Sequence, residues 1–284
     1  MTIRDLGYRP YEGERMPPTN NVRVLLRYGL VRAWGSLLVK LAVFLGILPA
    51  AGFVLISVVT TLTARAQGAP VETFLDAPKL LKSLMMIQVW VFVFPATIGA
   101  GASSIAEDLA QRAFQFYFAK PVTPSQYLAG RMGAVALVAF ALVLVPALLL
   151  SAALVALGGR ELLAERLGLV LPALIECVLV AVVMGTASVG VSSVGKSRAL
   201  TASAWILLFL VPYVVSVLVF QIGHVPWLQL ASIPALLEVV NDALFKQPEP
   251  GDLSWAHALP MLGIFTVLST TFAYHRLTRA EVIA

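Results

Sequence analysis

Six stretches of this chain are each long and apolar enough to cross a bilayer, near residues 37–59, 84–102, 132–157, 167–194, 199–222 and 256–274. A spanning helix needs about 20 mainly apolar residues. Within the hydrocarbon no water serves the backbone, so each stretch must satisfy its own N–H and C=O groups. The predicted fold is therefore an all-α integral membrane protein with six transmembrane helices. Composition excludes a soluble globule, since 59% of residues are hydrophobic and 12% charged, against about 25% charged in a soluble domain. The 284 residues are spent on spans and their links, which leaves no room for a second, soluble domain of ordinary size. The expected division is a cytoplasmic amino-terminal segment with an interfacial helix over 1–34, then a transmembrane domain over 35–284. That domain has a cytoplasmic loop at 103–131 and an outer loop at 223–255.

Basic residues orient the bundle. Residues 1–20 are polar, proline-rich and basic, without the apolar core of a signal peptide, so the amino terminus is expected in the cytoplasm. With that choice fourteen of the 20 lysines and arginines fall inside and six outside, as the positive-inside rule requires. The carboxyl terminus then also lies inside. The net charge of +5 is spread over helix ends, which fits orientation in a membrane rather than nucleic-acid binding. Residues 21–34 mix Arg23, Arg27 and Arg32 with Val24, Leu25, Tyr28, Val31 and Trp34. They suit either a helix in the headgroup layer or the basic flank of the first span. Each span carries one proline, at 49, 95, 146, 172, 212 and 260. These read as bending points, or as the ordinary proline content of membrane helices.

The loop at 103–131 is the long polar interval on the inner side. Ser104-x-x-Glu107 has capping-box spacing, so a helix is expected from Ile105. Ile105, Leu109, Ala113 and Phe116 recur along one side of it. Glu107, Asp108, Gln111, Arg112 and Gln115 lie mostly on the other. Pro121 ends this helix. Thr123, Pro124 and Gln126 then start the next one, with Thr123 as N-cap, proline at the first position and Gln126 completing a second capping box.

The order small residues, Ile105, Glu107, short helix, then Phe118-Ala-Lys-Pro121-Val-Thr-Pro124 and Tyr127-Leu-Ala-Gly130-Arg131 resembles the membrane-spanning permease subunits of type-2 ABC exporters. Glu107 falls at the family's acidic position, Pro121 at its proline, and Gly130-Arg131 where Gly-Lys is usual. One departure is that many members have glycine a few residues after the acid, where Gln111 and Arg112 stand here. The resemblance implies an interfacial elbow helix at the amino terminus, a coupling helix in this loop, and short outer-leaflet helices before the last span. It implies a separate ABC ATPase dimer that binds ATP and Mg, a second permease copy or homologous permease, and the bacterial inner (plasma) membrane as location. This chain would have no ATPase site and no cofactor of its own. In this reading Ile105, Leu109 and Phe116 anchor the coupling helix to the bundle, while Glu107, Asp108 and Arg112 face the ATPase.

Other signals are weaker. Gly190 to Ser197 matches G-x-x-x-x-G-K-S, but a phosphate-binding loop must follow a strand of an α/β domain, and here an apolar span precedes it. A tight cytoplasmic turn is expected. Glu176 is the acidic residue well inside a span, where a charge costs several kcal/mol unless protonated, paired or wetted. It is either a polar point on a substrate pathway or a tie between helices. Ala181, Gly185, Ala187, Ser188, Gly190 and Ser192 give the fourth span a slim face for close packing. In the outer loop Ile233, Leu236, Leu237, Val240 and Leu244 share one helical side and Glu238 and Asp242 lie away from it, the pattern of a helix on or in the outer leaflet. Cys177 has no partner cysteine, and His224, His257 and His275 are too far apart to suggest a metal site.

Three function classes remain open to the sequence. The first is an export permease moving a hydrophobic or amphipathic substrate. The second is a non-transporting scaffold or sensor that binds a cytoplasmic partner through the same loop. The third is an ion-conducting or enzymatic membrane protein.

Overall fold

The computed structural model describes residues 20–70, 75–114, 122–159, 162–223, 225–248 and 253–283. Phe116, Pro121 and the segment 1–19 lie outside them. Among the described residues every regular element is helical, and six helical stretches are long and apolar enough to cross a membrane. They run Leu37–Ala66, Ala77–Ala110, Pro124–Gly158, Leu163–Ser192, Arg198–Val219 and Trp255–Arg279. Their outer faces are apolar, with Leu55 64%, Leu171 64% and Val267 62% exposed. A surface of that extent is unsustainable in water and natural against lipid.

The amino-terminal helix α1 (Asn20–Trp34) precedes the first span, which consists of α2 (Leu37–Leu45) and α3 (Leu48–Ala66) with a break at Gly46. The second span begins with α4 (Ala77–Ile87), capped by Asp76, whose carboxylate accepts from the Lys79 N–H at 3.0 Å. It widens into a π-helical stretch at Gln88–Val93 and continues as α5 (Phe94–Ala100). The break and the π stretch meet, because Gln88, fully buried, donates its amide to the Gly46 carbonyl at 2.6 Å. Pro49 falls in the first turn of α3, where proline costs no helical hydrogen bond, and Pro95 follows the π stretch directly.

After α6 (Ser104–Ala110) the chain enters α7 (Pro124–Gly158), the longest helix, which packs against α1, α3 and the fourth span. The Thr123–Gln126 capping box predicted from sequence opens it. Thr123 Oγ1 accepts from the Gln126 N–H at 3.3 Å, and Gln126 Oε1 accepts from the Thr123 N–H at 3.2 Å. The fourth span is α8 (Leu163–Gly168) followed by α9 (Val170–Ser192). As the slim face suggests, Gly185 sits so close to α7 that a Cβ there would lie 3.0 Å from the Ala136 backbone. Gly130 plays the same part where α7 meets Leu25 of α1.

The fifth span is α10 (Arg198–Gly223), joined to the second span by aromatic contacts. Phe94 stacks on Phe209 at 4.2 Å, Trp90 meets Phe209 and Tyr213 edge-on, and Trp205 donates its indole N–H to Thr97 at 3.0 Å. A 3₁₀ turn at Pro226–Ala231 leads to α11 (Ile233–Leu244), and α12 (Trp255–Ile283) closes the chain. The outer-loop expectation needs correction here. Asp242 does not lie away from the apolar side of α11 but is buried and ion-paired with Lys82 of α4, while Asn241 donates to the Lys82 carbonyl at 3.2 Å. An unpaired acid would be costly at that depth, and Lys82 supplies the counter-charge that lets α11 settle into the bundle. Beside it Glu238 is held above the usual carboxylate range, by burial first and then by the charge of Asp242.

Candidate functional site: the joint around helix α6

The helix α6 lies at the end of the bundle that also carries α1 and the start of α7. Three neighbours hold it. Its inward side carries Ile105, fully buried with Leu25, Phe114, Tyr127, Leu128 and Val189, with half-buried Leu109 packed against the group. Its first turn is capped from outside. The N–H groups of Ile105 and Ala106 both donate to Ser192 Oγ of α9, at 2.9 and 3.1 Å. The Ser104 hydroxyl turns back to the Gly101 carbonyl at 2.9 Å. The predicted Ser104–Glu107 capping box therefore does not form. Ser104 belongs to the first turn rather than the cap position, and Glu107 is drawn into an ion pair.

The ionic centre is Asp108. Expected on an outward polar side, it is 3% exposed, and its carboxylate accepts from three donors. Oδ1 takes Arg32 Nη1 of α1 at 2.8 Å, and Oδ2 takes the Tyr127 hydroxyl of α7 at 2.5 Å together with Arg131 Nη2 of α7. Arg131, 2% exposed, lies with its guanidinium 5.3 Å from the ring centres of both Tyr28 and Tyr127, a cation–π enclosure in a dry setting. Glu107 is bound by the second arm of Arg32 and stands 3.7 Å from Arg198 at the start of α10. Burial works against the charge on Arg32. The hydrogen bond and charge of Asp108, followed by the bond to Glu107, outweigh that burial and hold the guanidinium above its ordinary value.

The sequence predicts one helix over 105–118, whereas α6 stops at Ala110. Arg112 adopts a left-handed backbone with φ 54°. The Ala113 N–H reaches the Asp108 carbonyl at 2.9 Å and the Arg112 N–H reaches Leu109 at 3.3 Å, the paired bonds of a Schellman ending. Gln111 and Arg112 stand where the resemblance leads one to expect glycine, and Arg112 carries the left-handed backbone there. Ala110, Gln111 and Arg112 form an exposed tip.

The predicted site residues therefore separate. Ile105 and Leu109 anchor, Asp108 and Glu107 tie the helix to its own chain, and Arg112 is exposed at the tip. Phe116 and Pro121 lie outside the described residues. Arg32, Tyr127, Arg131 and Ser192 are the partners that sequence reading did not find. Glu176 is not part of this joint. It is fully buried in α9, about 24 Å along the helix from Ser192, and neither of its oxygens has a hydrogen-bond partner among the described residues. The Gly190–Ser197 pattern is the last turn of α9 and the link to α10. No strand precedes it, and the Ser193 and Val194 carbonyls accept from Arg276. No protein-family model matches this chain, and neither does any curated protein sequence.

Proposed function

We propose that this chain is the membrane permease subunit of an ATP-driven exporter of the type-2 ABC kind, with α6 as its coupling helix and α1 as its elbow helix. The observation that carries the reading is the construction of α6. A short helix with an exposed tip is fixed through Asp108 to α1 and α7 and through Ser192 to α9, so a push on the tip reaches three bundle helices at once. The segment 103–131 also keeps the residue order that resembles this family. On this reading ATP and Mg are bound and used in a separate ATPase dimer, a second permease copy or a homologous permease completes the pathway, and the cargo is hydrophobic or amphipathic. The membrane is the bacterial inner membrane, with both termini cytoplasmic.

The joint changes which residues meet the ATPase. Asp108 is spent inside the chain, so contact falls to Ala110, Gln111 and Arg112, with Glu107 at the margin. The test is purification of the chain from its native cells in gentle detergent, followed by mass analysis and an ATPase assay of what comes with it. A co-purifying ABC ATPase supports the proposal. A chain that comes out alone and without ATPase activity contradicts it and favours a scaffold or sensor.

A further inference from the structure

A polar pocket of ≈ 100 Å³ opens beside the joint, where α1 turns into α2 and faces α5, α6 and α10. Arg32, Ser36, Ser103, Glu107 and Arg198 line it, with backbone from Gly35 and Gly99. Four features make it an anion site. Among the described residues the joint and pocket together hold three arginines (Arg32, Arg131 and Arg198) against two acids (Glu107 and Asp108), an excess of one positive charge. The excess falls on Arg198, whose contact with Glu107 is the longest of the set at 3.7 Å and whose side chain is 64% exposed. Ser103, 4% exposed, lines the pocket, and its hydroxyl makes no hydrogen bond among the described residues. Ser36, the N-cap of α2, likewise makes no side-chain cap bond, so the first N–H groups of a nine-residue helix start at this pocket without that acceptor.

We infer that the pocket binds a phosphate group, namely that of an anionic phospholipid headgroup. One negative charge neutralises the excess cation, its oxygens accept from Arg198 and the two serine hydroxyls, and Arg32 contributes its field while remaining on the acids. Tyr28, Val31 and Trp34 are exposed on α1, the helix that carries Arg32 into the pocket, and aromatic and apolar side chains of that kind suit a helix at headgroup depth with lipid against it. The inference rests on the membrane placement of the spans and not on the coupling role of α6. Occupancy ties α1, α6 and α10 together through the ligand and so strengthens the joint.

The test uses the full chain in detergent and reads its apparent melting temperature during titration with short-chain phosphatidylglycerol, short-chain phosphatidylcholine and inorganic phosphate. The variants are Arg198→Gln and Ser103→Ala, with Arg27→Gln, an exposed arginine of α1 away from the pocket, as control. Phosphatidylglycerol is expected to stabilise the wild type and Arg27→Gln alike. In Arg198→Gln it should need about tenfold more lipid, the loss of one charge-assisted bond to phosphate, with a smaller shift in Ser103→Ala. Inorganic phosphate reproducing the effect with the same dependence on Arg198 identifies the same site filled by a soluble anion. If no phosphate-bearing ligand stabilises the wild type, or if Arg198→Gln and Ser103→Ala titrate like the wild type, the pocket is not a phosphate site. This outcome is separate from ATPase co-purification, which can succeed or fail on its own.

Discussion

Asp108 and Glu176 are both buried carboxyl groups, and the chain treats them in opposite ways. Asp108 receives Arg32, Tyr127 and Arg131 from two different helices. Glu176 receives nothing among the described residues. A buried ion pair adds little net stability over an apolar contact, but breaking one strands its partner. Asp108 is thus a fixed post, where removal of the charge takes from the buried Arg131 its carboxylate. Glu176 can lose its charge without breaking a hydrogen bond among the described residues.

The same chemical change at the two sites sharpens the contrast. Asp108→Asn keeps the shape and removes the charge. It should cost about 3–5 kcal/mol, which corresponds to a fall of about 10 °C in apparent melting temperature, readable by a thermal shift in detergent. A loss within 1 °C would show that the carboxylate network is dispensable. Ser192→Ala leaves the Ile105 and Ala106 N–H groups without their acceptor and should cost about 1–2 kcal/mol. Its effect should vanish in a background already carrying Asp108→Asn if both act by holding α6, a dependence that a double-mutant cycle measures. Glu176→Gln should stay within about 1 kcal/mol of the wild type. A destabilisation as large as that of Asp108→Asn would reveal a partner for Glu176 and end the comparison.

Much of the fold could be read from the sequence because bilayer helices announce themselves by length and hydrophobicity. All six spans appear close to their expected places, and the slim face of α9 does meet its neighbours closely at Gly185. The Thr123–Gln126 cap was legible for the same reason, since both partners sit within one turn. The Ser104–Glu107 cap has the same local pattern and fails, because Ser192, 87 residues away, and Arg32, 75 residues away, compete for the same groups. Local spacing carries no information about such rivals. The break at Gly46 and the π stretch at Gln88 are equally non-local, since the Gln88 amide of one span donates to the freed Gly46 carbonyl of the other. A signal for the joint was nonetheless present. Leu25, Gly29 and Arg32 lie at steps of four and three on α1, so Arg32 shares the face that the apolar residue and the glycine mark as buried. Tyr127 and Arg131 stand four apart on α7 and therefore on one side. A basic residue on each of two packed faces asks for an acid between them, and Asp108 is the one at hand.

The measurement that bears most directly on the central claim is retention of the proposed ATPase partner by the variant Arg112→Glu, purified in gentle detergent and compared with wild type, with its melting temperature taken alongside. Arg112 is exposed at the tip of α6 and outside the Asp108 network. The account predicts that the variant melts like the wild type but loses most of the ATPase. An ATPase retained in full on a reversed tip would contradict the account, because the partner would then be gripping the chain somewhere other than α6.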